Sequence, residues 1–422
     1  MSRELPWERL GNLATVKAGA TPARKNGDRF YIGGTINWVK TGDLNNGRLY
    51  ATEERVTEEA VNETSLSVHP PGTVLVAMYG GLQQIGRSAL LECPATTNQA
   101  ISALIPDRNK MLGEFLNYCL VSLRPNWRKV AASSRKDPNI TKQDVLDFQV
   151  PVPPLHEQRR IAEILSSVDE AIAATRAVIE QTRKVKQGVL ERLLTKGIGY
   201  TRFKQTEIGE IPEGWQSPKV ADVASVKGGK RMPAGRPFAD CKTDHPYVRV
   251  SDFREGSIDK SSLVYVLPED QKLIARYTIS ARDVYISIAG TIGVSGMVPA
   301  DLDGAQLTEN AAKISVHSEA HLMPEFLSLL IPSRIVQEQI AAVKGVGGGV
   351  PKLALFRIEG LSIPVPPREE QEQIVQRSSS INEALVSANS SLSTLLATKS
   401  ALMSDLLTGR KRVTGALPMA AE

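Results

Sequence analysis

Residue groups able to carry out chemistry are few and scattered in this 422-residue chain. Asp270-Gln271-Lys272 supplies half of a nuclease metal site, in which carboxylates hold Mg²⁺ beside a lysine; just after Pro268, a solvated turn is the plainer expectation. Asp137-Pro138-Asn139-Ile140 lacks the second proline and the aromatic residue of the Asp/Asn-Pro-Pro-aromatic motif that grips an extruded adenine. The glycine run Gly345-Val346-Gly347-Gly348-Gly349 has neither the lysine nor the following helix chemistry of a phosphate loop and reads as a mobile loop. The five histidines, His69, His156, His245, His317 and His321, show no metal-ligand spacing; His317 and His321, at i and i+4, lack a third ligand. The expectation is a chain without an active site and without a bound metal or cofactor.

Binding is what remains. Arg24, Lys25 and Arg29 occupy an early polar loop, and Lys227, Lys230, Arg231 and Arg236 occupy a matching loop about two hundred residues later. Lys40 and Arg249 stand at equivalent places beyond them, and Arg135 with Lys136 recurs in position as Lys344. Such cations can release counterions from phosphates, while neighbouring Asn, Gln, Arg and Tyr read base edges. Ordinary solvated loops are the alternative. The excess of 51 Lys+Arg over 46 Asp+Glu suits a nucleic-acid partner without requiring one. Arg176, Arg183, Lys184, Lys186, Arg192 and Lys196 face only Glu180 and Glu191, which could track a backbone or complement a helix's negative end.

The elements that must position these loops come from a repeat. Pro151-Val152-Pro153-Pro154-Leu155-His156-Glu157-Gln158 and Pro364-Val365-Pro366-Pro367-Arg368-Glu369-Glu370-Gln371 share six identities in eight at an offset of 213. The prolines predict an extended entry to a helix, with Glu157 and Glu370 where its dipole favours an anion. Steps of four and three from Ile161 pass through Leu165, Val168, Ile172, Thr175, Ile179, Thr182, Lys186, Val189 and Leu193. That is a coiled-coil seam. The offset carries it onto Ile374, Ser378, Ile381, Leu385, Ala388, Leu392, Leu395, Lys399, Leu402 and Leu406, so the lysine that interrupts it recurs. Each helix would be a spacer about 60 Å long.

Residues 1–150 alternate β-like runs (Trp7–Lys17, Ile36–Lys40, Thr73–Tyr79) with turns, followed by a helix over Met111–Leu123. The pattern restarts after 214: Trp215 stands for Trp7, Lys227-Gly228-Gly229 for Lys17-Ala18-Gly19, Tyr247-Val248-Arg249 for Trp38-Val39-Lys40, Asp252 for Asp43, and Glu325-Phe326-Leu327 for Glu114-Phe115-Leu116. The predicted order is domain 1–150, central helix 151–197, connector 198–214, domain 215–363, distal helix 364–409 and tail 410–422. The connector reaches at most about 58 Å when extended. An antiparallel helix pair with a globular α+β domain at each end, related by a pseudo-two-fold axis, follows. The 41% hydrophobic content allows real cores, and Cys93, Cys119 and Cys241 suggest neither disulfides nor a zinc knuckle. The charged start Met1-Ser2-Arg3-Glu4 shows no signal peptide, and without a membrane-crossing run a cytoplasmic protein is expected.

Paired Pro-Val-Pro-Pro-x-x-Glu-Gln openings, the Leu193-Leu194-Thr195-Lys196-Gly197 ending, the Glu207-Ile208-Gly209-Glu210-Ile211-Pro212-Glu213-Gly214-Trp215 run and the duplicated domains resemble the specificity subunit of type I restriction-modification enzymes. The resemblance covers nearly the whole chain. It implies two target-recognition domains, each reading one half of a bipartite site on double-stranded DNA, with the helices acting as a ruler. It also implies a non-catalytic subunit that docks two methyltransferase subunits, which bind S-adenosylmethionine, and restriction/translocase subunits that use ATP and Mg²⁺. Val350-Pro351-Lys352 replaces Asn139-Ile140-Thr141, so the two halves should read different sequences. A coiled-coil scaffold binding only proteins is the competing reading.

Overall fold

The computed structural model describes residues 5–131, 138–254, 256–342 and 352–413. The chain divides into two units, Met1–Ala177 with Ser390–Glu422, and Val178–Asn389, so both division points fall inside long helices. Those helices are Leu155–Lys196 and Arg368–Leu406. Each begins on its proline run: the Pro154 carbonyl accepts from the Glu157 and Gln158 backbone N–H groups at 2.9 and 3.0 Å, and Pro367 serves Glu370 and Gln371 at 3.0 and 3.1 Å.

In the first unit a five-stranded sheet runs in the order Ala14–Ala18, Ile101–Pro106, Val74–Ala77, Ser88–Leu91, Arg48–Leu49. A three-stranded sheet, Arg55–Val56, Ile36–Val39, Ala95–Thr97, packs beside it, and Trp7–Arg9 pairs with Gln149–Pro151. The second unit repeats this with a four-stranded sheet, Ala224–Gly228, Ala311–Val316, Val284–Ser287, Ser295–Met297, and a three-stranded one, Val264–Tyr265, Pro246–Val248, Gln306–Leu307. The connector contains a hairpin, Phe203–Thr206 with Gly209–Pro212. Helix-bearing faces close both cores: Leu10, Val74, Leu104, Phe115 and Trp127 cluster with Ile161, Leu165 and Leu406 in one, and Val220, Val284, Ile314 and Phe326 with Leu193 and Ile374 in the other. Each such side chain contributes about 1.5–3 kcal/mol by leaving water.

Within each unit, therefore, the start of one long helix lies against the end of the other, an antiparallel arrangement. Of the seam, Ile161, Leu165, Ile172, Ile179, Leu193, Ile374 and Leu406 are buried, while Val168, Ile381, Leu385, Leu392 and Leu395 are half-buried. The interrupting lysine finds a partner in the first unit, where Lys399 Nζ lies 2.5 Å from Asp169 Oδ1 and the Tyr118 hydroxyl donates to Asp169 Oδ2 at 2.8 Å.

Three readings change. Trp7–Lys17 is not one β-run but a strand, a helical turn Leu10–Leu13 and a second strand Ala14–Ala18, because Leu10 and Leu13 must both face the core. The helix expected over Met111–Leu123 runs from Gly113 to Ala131 through Pro125, its far end held by buried Trp127, which stacks on Phe148 at 3.7 Å. The counterpart of Trp215 is Leu5 rather than Trp7. Val152 bonds the Pro6 carbonyl as Val365 bonds that of Gln216, which places Leu5 and Trp215 in register, and both are buried whereas Trp7 is exposed.

Candidate nucleic-acid interface

The duplicated Glu-Gln pair at each helix start fastens the domains to the rods. Gln158, fully buried, accepts from the Leu112 N–H at 2.9 Å and donates to the Lys110 and Pro153 carbonyls at 2.9 Å each. Gln371 accepts from the Met323 N–H at 2.8 Å and donates to the His321 and Pro366 carbonyls at 2.7 and 2.9 Å. Both glutamines hold the loop that enters the domain's helix.

The glutamates do something different from the helix-dipole role their position suggests. Glu157 takes a two-pronged bond from Arg412 at 2.8 and 2.7 Å and the Val413 N–H at 3.1 Å. Glu370 accepts from the Ile198 N–H, the Tyr200 hydroxyl and the Trp215 indole N–H at 2.8, 2.9 and 3.0 Å. Each carboxylate thus clasps the chain that follows the other helix. The Arg412 guanidinium holds the Glu157 carboxyl below its ordinary value of 4.5. A depressed folded-state pKa means the stabilisation is complete above the unfolded value and is lost as pH falls through the folded one. The unfolding midpoint of the first unit should therefore decline as pH drops below about 4.5, the ordinary carboxylate range, and Arg412→Ala should flatten that decline in urea titrations.

Matching hydrogen bonds identify equivalent positions in the early loops of the two domains. The Trp38 indole N–H donates to the Ala20 carbonyl at 3.2 Å, and the Tyr247 hydroxyl donates to that of Lys230 at 2.8 Å. One residue on, Thr21 bonds Gln99, while at the equivalent place Arg231 Nε bonds Glu309 at 2.6 Å. A neutral pair in one domain is a charged pair in the other. Sequence reasoning named Arg231 and missed Thr21, Gln99 and Glu309, because only the fold brings the second member of each pair, 78 residues on, against the first.

Most of the basic candidates among the described residues are compensated internally. Arg24 and Lys40 share Glu54 at 2.8 and 2.7 Å, and Arg24 also lies 4.3 Å over the Tyr31 ring. Arg29 pairs with Glu59 at 3.3 Å and with Glu63. Arg236 meets Asp270 at 3.2 Å, and Arg249 grips Asp252 at 3.0 and 3.2 Å and the Ser262 carbonyl at 2.6 Å. The Glu54 bonds raise the Arg24 and Lys40 pKa values and lower that of Glu54. Asp270 is accordingly no solvated turn residue but a buried one in the helix Pro268–Ile274, because Arg236 and the apolar surroundings enclose it. Lys25, Lys227 and Lys230 are exposed and form no ion pair among the described residues; Lys230 Nζ lies 5.9 Å from the Tyr277 ring centre. Arg135, Lys136 and Lys344 lie outside the described residues.

In the second domain, Arg231, Tyr247, Arg249, Thr308, Glu309 and Asn310 line a cleft of about 370 Å³. No group of three or more His, Cys, Asp or Glu suited to a metal occurs among the described residues, and no described helix is long and apolar enough to cross a membrane. The arrangement offers hydrogen-bonding side chains on loop residues that follow or link paired strands.

Comparison with known proteins agrees with this geometry. The chain is 25% identical, over 97% of its length and 95% of the relative's, to the putative type I restriction enzyme MjaX specificity subunit of Methanocaldococcus jannaschii. It is 30% identical over 39% of its length to the Escherichia coli EcoR124I/EcoR124II specificity subunit, covering 41% of that protein. The S subunit of the type I restriction-modification system of M. genitalium superposes with a TM-score of 0.56 at 15% identity, covering 96% of both chains. A chain from a structure addressing complex assembly and conformational transition of the type I R-M system gives 0.61 at 17% identity, over 97% of this chain and 100% of that one. The model of the type I restriction modification DNA specificity domain matches twice, at residues 4–182 and 212–390, each match taking in one domain and the first part of the long helix that follows it. With both halves matched and the domain-helix repeat laid out twice in the structure, this chain belongs to the type I restriction-modification DNA specificity family.

Proposed function

We propose that the chain is the non-catalytic specificity subunit of a type I restriction-modification complex, reading a bipartite site on double-stranded DNA with one half assigned to each domain. The reading heads are residues 1–150 and 215–363, the helices of 151–197 and 364–409 set the spacer, and 198–214 connects the halves. The helices also dock two methyltransferase subunits and the restriction/translocase subunits, which carry S-adenosylmethionine, ATP and Mg²⁺. The site of action is the cytoplasm. One observation carries the reading: equivalent backbone anchors present different side chains, Thr21 with Gln99 against Arg231 with Glu309, as two heads reading different sequences require.

Footprinting of the assembled complex should show two separated protected tracts. One continuous tract would count against the reading, and none would favour a scaffold that binds only proteins. Inserting one heptad into each long helix adds about 10 Å. The accepted spacer should lengthen by roughly three base pairs at 3.4 Å each with both half-sites unchanged, as sequencing of methylated adenines in a host carrying the system would reveal.

A further inference from the structure

Three arginines of the first domain stand apart from the compensated cations described above. Arg124 and Arg128 lie at i and i+4 toward the end of the helix Gly113–Ala131, and Arg87 directly precedes the return strand Ser88–Leu91 of the adjoining hairpin. None of the three pairs with a carboxylate among the described residues. Arg124 spends its donors on backbone, bonding the Ile85 carbonyl at 3.3 Å and the Gln83 carbonyl, which ties the hairpin loop to the helix. Gly86 seals the same junction: a side-chain carbon there would come within 2.3 Å of the Trp127 ring. Among the described residues the Arg87 side chain reaches only the Gln84 amide oxygen, at 3.1 Å, and its Nε is buried without a partner.

Partial burial and the charges of Arg87 and Arg128 push the Arg124 pKa down, the reverse of what Glu54 does for Arg24. Like charges at i and i+4 oppose helix formation. The negative end of the helix accommodates Arg128 and its exposed neighbour Lys129, but it does not account for Arg124 a turn earlier or for Arg87 on another element. Beside them the loop exposes Tyr79 and Leu82. In the second domain the position of Arg87 is held by Val294, identified by matching bonds, Ala77 N–H to the Arg87 carbonyl and Ser287 N–H to that of Val294. The hairpin glycine there, Gly293, faces Gln337 in place of Trp127.

We propose that Arg87, Arg124 and Arg128 form a cationic face that takes the phosphodiester backbone of duplex DNA at the first half-site. Clustered guanidiniums without carboxylates are the arrangement that anionic oxygens relieve, through charge-assisted and bidentate bonds. The inference rests on the DNA-reading function proposed above and adds which surface carries the phosphate contacts.

The test is the salt dependence of binding of the full chain, in complex with its modification subunits, to a fluorescein-labelled duplex of arbitrary sequence. Each phosphate contact contributes about 0.9 to the slope of log affinity against log salt. The Arg87→Gln/Arg128→Gln double variant should lower that slope by roughly 1.8, whereas Arg87→Lys/Arg128→Lys should retain it. Arg124 is left in place because it holds the hairpin, so the double variant should keep the wild-type unfolding midpoint. An unchanged slope in the glutamine variant would overturn the assignment while leaving DNA reading intact. Absence of salt-dependent binding by the wild type would overturn both.

Discussion

Replacing Gln371 with leucine should destabilise the second unit by about 3–5 kcal/mol, and Gln158→Leu should do the same to the first. Leucine keeps the apolar stem and removes the amide. It strands the Met323 N–H and the His321 and Pro366 carbonyls, or the Leu112 N–H and the Lys110 and Pro153 carbonyls. Each buried polar group left without a partner costs roughly 1–3 kcal/mol. Urea unfolding followed by far-UV circular dichroism should show one of two transitions moving to lower denaturant in each variant. A common shift of both transitions, or a change under about 1 kcal/mol, typical of a surface substitution, would refute the account of these residues as fasteners of a domain to its rod.

Gly229→Ala should remove one protected tract from the footprint, and Gly19→Ala the other. Alanine at Gly229 would set its Cβ 2.1 Å from the Thr308 carbonyl oxygen, and at Gly19 2.0 Å from that of Asn98. These carbonyls follow directly on paired strands and are pinned in tight turns by the Ala311 and Ile101 N–H groups at 3.1 and 3.2 Å, so they cannot yield by that much and the strand end must lift away. The bonds that seat the reading loop then break: Lys230 N–H to the Leu307 carbonyl at 2.8 Å, and Ala20 N–H to the Thr97 carbonyl at 2.9 Å. Overpacking costs about 1–3 kcal/mol and each lost backbone bond about 1 kcal/mol, together roughly 2–4 kcal/mol of local destabilisation. Hydrogen exchange should show the amides of Lys230 or Ala20 losing protection in the respective variant. Loss of both tracts from a single substitution would argue that the two heads do not read independently.

The candidate site was legible in unequal parts. Gly19 with Gly229 and Lys40 with Arg249 could be aligned from the repeat because the residues, or their charge, are the same in both copies. Leu5 could not be matched to Trp215, since the two share only a place in the core. Charge along the chain did not show which cations are compensated internally. Arg24, Arg29, Lys40 and Arg236 read as free cations along the chain, yet each meets a carboxylate brought in by a distant element, and Arg249 meets Asp252 within its own turn. Arg87 and Arg124 drew no attention, because 37 residues separate them and only the hairpin-to-helix junction places them together.

From the linear order of residues alone came the duplication, the two long helices and their shared seam. All of these are properties of local spacing, which a period of 3.5 or a repeated proline run records directly. Tertiary structure decided which charges cancel, which glutamate clasps which chain end, and where the two heads differ at matched positions. Those outcomes depend on pairs far apart in sequence, such as Glu157 with Arg412 or Arg231 with Glu309, whose meeting is set by packing of strands and helices that no local pattern encodes.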